Sequence, residues 1–107
     1  MTFVINGEVW RVKLVPAGHP TICRPDGSVS VGCCDDRSKT IYMDRTLHGK
    51  FFLEVLAHEI THAAMFSYNI NMNYEQEELV ANMIAKYGRE VLSIADSVFR
   101  KIKRGYL

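Results

Sequence analysis

The chain has 107 residues, enough for one domain and one modest core. A net charge of +1 and an apolar share of 48% exclude both a strongly basic nucleic-acid binder and a disordered polyelectrolyte. Three cysteines are an odd number and make no disulfide framework, and no apolar run reaches the length of a membrane span.

Taken in order, Thr2 to Ile5 and Glu8 to Val15 are β-rich runs joined by Asn6-Gly7, the strongest short hairpin signal. Polar residues interrupt this N-terminal stretch (Asn6, Glu8, Arg11, Lys13), so no secretory leader is expected and a cytoplasmic location follows. Phe3 and Ile5 alternate with their neighbours. Trp10, Val12 and Leu14 alternate with Val9, Arg11 and Lys13, so one face of the hairpin is expected to be buried. Residues 16–20 read as a loop and Pro25-Asp26-Gly27-Ser28 as a turn. Thr21 to Arg24, Ser28 to Cys33 and Thr40 to Asp44 read as further strands. Residues 2–44 thus predict a small sheet of three to five strands. It should be mostly antiparallel, because the connections are too short for helical crossovers. Cys23, Cys33 and Cys34 read as reduced, partly buried thiols.

After Asp44 the apolar period changes from two to near 3.6. Leu53, Leu56, Ile60, Ala63 and Ala64 form a stripe on a helix that starts between Thr46 and Lys50 and stops near Ser67 to Asn69. Asn73 and Gln76 fit a capping box for a second helix, expected to end at Gly88. A further stripe through Val91, Ile94 or Ala95, Val98 and Ile102 continues to about Lys103. The sequence is compatible with one helix continuing through Gly88 or with two separated by it. The basic run from Arg100 to Arg104 reads as a solvated helix end favoured by the helix dipole. The fold class is therefore α+β: one domain over residues 1–107, with a small sheet followed by two or three helices.

The first of these helices carries His58-Glu59-Ile60-Thr61-His62. Histidines four apart lie on one helix face, so both imidazoles can reach a single zinc ion. Glu59, beside the first, is placed to take a proton from a water on the metal rather than to ligate it. Two histidines do not complete a catalytic site, which needs a third protein ligand. No histidine follows His62, which excludes the metzincin pattern. His19 and His48 read as a loop residue and a helix-entry residue. Glu75, Glu77, Glu78 and Asp96 remain as carboxylates of suitable chemistry.

Glu78-x-x-Ala81-Asn82 resembles the glutamate motif of the gluzincins, in the form seen in ImmA/IrrE-type peptidases. The resemblance implies that Glu78 is the third zinc ligand and that Asn82 orients His58. Glu75 and Glu77 are then solvated carboxylates at a helix N-terminus. The order of sheet and helices is similar to that of small single-domain zinc peptidases: minigluzincins and the ImmA/IrrE-like or SprT-like proteins of phages and prophages. The specific part of the likeness covers Phe52 to Tyr87. It implies a zincin-like fold, a Zn2+ cofactor and hydrolysis of a peptide or protein substrate, with no membrane or nucleic acid involved.

On this reading His58, His62 and Glu78 hold zinc and Glu59 is the general base. A second donor to the oxyanion comes from Tyr74, Tyr68, Tyr42 or Tyr106, with Tyr74 the named candidate. A peptide lies along an exposed sheet edge, for which Ser28 to Cys34 is the expected segment. Two alternatives stand beside it: a weakly active or inactive zinc-stabilised interaction module, and a self-inhibited peptidase whose tail, Lys103 to Leu107, covers the cleft.

Overall fold

Asn6 and Gly7 both adopt positive φ, 48° and 76°, the backbone of a tight hairpin turn. They join β1 (Thr2–Ile5) to β2 (Glu8–Val15), with Phe3 opposite Trp10 and Val4 opposite Val9. The computed structural model describes residues 1–23, 26–28 and 30–105. Two more strands follow, β3 (Gly32–Asp35) and β4 (Thr40–Asp44), and the sheet order is β1-β2-β4-β3.

The fold class is α+β and the sheet is mostly antiparallel, as expected, with one parallel pairing that makes it mixed. β1–β2 and β3–β4 are antiparallel, whereas β2 and β4 run parallel, Val12 beside Ile41 and Leu14 beside Met43. No helix makes the crossover. After β2 the chain turns through a short 3-10 segment, Pro20–Ile22, passes to the outer edge as β3 and returns inside it as β4. A hairpin placed beyond its neighbour thus does what a helix does in a longer connection.

The expected strand at Thr21 to Arg24 is this 3-10 segment, capped by the His19 side chain, and Arg24 lies outside the described residues. Asp26 accepts from Ser28 N and Oγ at 2.8 and 2.6 Å, which makes the expected turn; Pro25 lies outside the description. The strand expected from Ser28 begins only at Gly32, and Val29 too lies outside the description.

One face of the sheet carries Trp10, Ile41 and Met43, fully buried against Ala63 of α1 (Gly49–Ser67). Phe52, Val55, Leu56 and Ile60 pack on the same cluster. Leu53, expected in the buried stripe, is exposed instead, because the sheet meets the helix on the Phe52 side. Leu14 is also exposed, while Val15 is buried. The last turn of α1 is tied to the hairpin. Trp10 Nε1 donates to Ser67 Oγ at 2.9 Å and Asn6 Nδ2 to the Ser67 carbonyl at 2.8 Å. Asn69 takes the left-handed stop, φ 54°, with Ile70 N bonded to Met65 O.

The next helix starts as expected. Asn73 Oδ1 accepts from Gln76 N at 2.8 Å and Gln76 Oε1 from Asn73 N at 3.3 Å. It does not stop at Gly88. α2 (Tyr74–Met83) runs through a π turn, Ile84–Gly88, into α3 (Arg89–Lys103), and Gly88 itself is α-helical at φ −58°, ψ −44°. No described helix is long and apolar enough to cross a membrane.

Candidate metal centre

α1 presents His58 and His62 one turn apart on the face turned from the sheet core toward α2. Ala81 and Ala85 are buried there, so small side chains let the helices close. This brings three side chains together. His58 Nε2 and His62 Nε2 are 3.1 Å apart, and the Glu78 carboxylate reaches His62 Nε2 at 2.8 Å and His58 Nε2 at 3.4 Å. At that distance the two ring nitrogens share either a ring proton or a cation that both ligate. A tetrahedral ion with bonds of about 2.0–2.1 Å sets its ligand atoms roughly 3.3–3.4 Å apart. The observed spacings, 2.8 to 3.4 Å, lie at or below that edge length, so a small outward shift would make room for an ion, and a two-imidazole, one-carboxylate donor set is one that zinc takes. Among the described residues this is the one such group of histidine, cysteine and carboxylate side chains.

Glu77, expected to be solvated, belongs to the site. Its Oε1 lies 2.6 Å from His62 Nδ1, and the two side chains are 24% and 12% exposed. A carboxylate on Nδ1 draws the ring proton there and leaves Nε2 free as a donor. Asn82 lines the same cleft but is exposed, and among the described residues nothing bonds it to His58. The signal for Glu77 was its adjacency to Glu78: consecutive helix residues can straddle one imidazole, one on each nitrogen.

Glu59 is buried and offers its carboxylate to the cleft from the α1 face beside β3. Burial pushes its pKa up to about 7; His62 opposes the rise and the charge of Glu78 adds to it. β3 reaches it because residue 32 is glycine. A Cβ there would lie 3.0 Å from Val55 Cγ1 and 3.2 Å from Glu59 Cγ. Cys33 and Cys34 follow on β3. Burial, then the Glu59 charge, raises both thiols above their ordinary range, which keeps them protonated. All three cysteines are free and partly buried.

The cleft, about 620 Å3, runs between β3 and the helices, with His58, Glu59, His62 and Glu78 in its wall. Tyr74 is the described tyrosine that lines it, although 75% exposed. Tyr42 sits between Ile41 and Met43 on β4 and so points to the opposite sheet face. Tyr68 caps the end of α1. Tyr106 lies outside the described residues. Lys86, not singled out from sequence, also lines the cleft and brings a cation to it. His19 and His48 stay in their turns, bonded near Thr21 and Thr46. Glu75 and Asp96 are exposed outside the group. Lys103, Arg104 and Gly105 do not line the cleft.

No protein-family model, no curated protein and no solved structure matches this chain.

Proposed function

We propose that the protein is a zinc-dependent peptidase with a zincin-like minimal fold. The observation that carries this reading is the convergence of His58 Nε2, His62 Nε2 and the Glu78 carboxylate within 3.4 Å of one another beside a buried carboxylate, Glu59. A purely structural metal site has no use for that fourth group. Zinc bound there supplies Lewis acidity, polarising a carbonyl and making a water more acidic. Glu59 accepts the water's proton and passes it to the leaving amine, the task for which its carboxylate is placed beside the two histidines. Glu77 holds the His62 ring in the ligating tautomer. Tyr74 and Lys86 are the donors available to the developing oxyanion. β3 is the outermost of the described strands and lines the cleft, so an extended peptide adds along its outer edge with the scissile bond over Glu59.

The test pairs metal analysis with turnover. The wild type should hold zinc near one per chain, and Glu78→Ala should lose it. Glu59→Gln should keep zinc and lose at least about a hundredfold in hydrolysis of a peptide library. Zinc that survives Glu78→Ala sinks the ligand assignment; turnover that survives Glu59→Gln removes Glu59 from the chemistry. One observation favours a second reading, a zinc-stabilised peptide-binding module. Tyr74, the tyrosine donor, is mostly in solvent. Peptide capture without cleavage by the zinc-loaded wild type would select it.

A further inference from the structure

α3 has no buried residue, yet its sequence is strongly two-faced. Val91, Ile94, Val98 and Ile102 share one side with Leu92 and Phe99, and the opposite side is charged. The stripe does not begin there. Leu79, Met83 and Tyr87 run along the α2 side facing away from Ala81 and Ala85, the residues that meet the body. Steps of four drift forward on an α-helix and backward on a π turn of about 4.4 residues per turn, so the π segment keeps the two halves in line. All these side chains are between 44% and 68% exposed. The helix also stretches the molecule. The radius of gyration is 16.2 Å where a compact chain of this length gives about 13 Å.

We propose that this ridge is a homodimer interface, in which residues 74–103 of two copies pair antiparallel about a two-fold axis at the level of Arg89 and Glu90. Three observations select a second copy. First, the stripe interdigitates with itself in that register. Leu79 falls between Val98 and Ile102 of the other copy, Met83 between Ile94 and Val98, and Tyr87 between Val91 and Ile94. Second, charge runs along the helix, from Glu75, Glu77 and Glu78 at one end to Arg100, Lys101, Lys103 and Arg104 at the other. Antiparallel pairing brings Glu75, at the acidic start of α2, beside Lys101 and Lys103, which flank the stripe at the basic end of the other copy; parallel pairing would stack the basic ends. Third, nine half-exposed apolar side chains offer on the order of 800 Å2 per copy, the size of a standard specific interface. An anionic membrane would suit the basic end of α3 but repel the acidic start of α2, and would leave Leu79 and Met83 uncovered.

Sedimentation equilibrium on the zinc-loaded chain tests this, at low to high micromolar concentrations. The expected mass is twice the 12.2 kDa of one chain. Val98→Glu should raise the dissociation constant by at least about a hundredfold while circular dichroism stays unchanged, since α3 places no residue in the core of one copy. Glu75→Lys and Lys101→Glu should each weaken the dimer, and the two together should restore it. A wild type that stays monomeric overturns the proposal, as does a dimer indifferent to Val98→Glu. Monomer binding to phosphatidylserine vesicles, lost in Val98→Glu, would hand the ridge to a lipid surface and overturn it too. A double variant no tighter than the singles overturns the antiparallel register.

Discussion

At the scale of single residues, the two adjacent carboxylates of α2 divide one imidazole between them. Glu78 faces His62 Nε2 and Glu77 faces Nδ1. Glu77→Ala should therefore lower zinc affinity by about 10- to 100-fold, the usual effect of removing a carboxylate behind a ligating histidine. Glu77→Gln, which keeps an acceptor, should lose less. Competition with a chromophoric chelator measures both, and unchanged affinity in Glu77→Ala would return that side chain to the solvent. Glu59 makes a different prediction, for the metal-free protein. Its folded pKa, near 7, lies above the ordinary carboxylate value of about 4.5. Between those values the folded state holds a proton that the unfolded state has lost, so stability falls as pH rises through the window. The loss is on the order of 3 kcal/mol by pH 8. Metal-free Glu59→Gln should escape it. Urea melts of the two proteins should coincide near pH 4 and separate by pH 8, with the variant the more stable. Parallel curves would mean that Glu59 is not desolvated.

At the scale of elements, two glycines that look alike in sequence behave oppositely. Gly32→Ala drives a Cβ into Val55 and Glu59 across the β3–α1 contact, both of them held by packing. It should cost about 1–3 kcal/mol in a denaturant melt. Gly88 is α-helical, and its added Cβ would meet Ile84 Cγ2 at 3.2 Å on a partly exposed side chain that can rotate. Gly88→Ala should stabilise by up to about 1 kcal/mol, the helix-propensity difference. The same contrast explains what the sequence could disclose. The Asn6-Gly7 hairpin, the Asn69 stop and the Asn73–Gln76 box are local, set by residues within a few positions of one another, and each stands where its residue types put it. His58 and His62 were legible for the same reason. The β2–β4 pairing, the exposure of Leu53, the continuity through Gly88 and the role of Glu77 depend on partners far along the chain. Glycine's poor helix propensity predicts a stop only when nothing else continues the helix, and here Arg89 to Lys103 does.

At the scale of the whole molecule, the core is small: Trp10, Ile41, Met43 and Ala63, with partly buried neighbours. α1 is locked to the sheet by that core and by the Ser67 bonds to Asn6 and Trp10. α2 has one buried residue, Ala81, and its polar ties to α1 are those of Glu77 and Glu78 to the two histidines. Without an ion the cluster is held by ring protons shared between the imidazoles and the carboxylates; a bound ion would replace those hydrogen bonds by ligation. The metal should therefore fasten the 74–103 helix to the body, and its effect on stability should be large for so small a chain. Above saturation each tenfold rise in free zinc adds about 1.4 kcal/mol, or roughly 5 °C in Tm for a domain of this size. Chelation should lower Tm and open residues 74–103 to protease before α1. Calorimetry at buffered zinc levels, with limited proteolysis alongside, reads both effects. A Tm independent of zinc would mean that the helices hold each other without it, and that the cluster binds its ion too weakly to serve as a resident site.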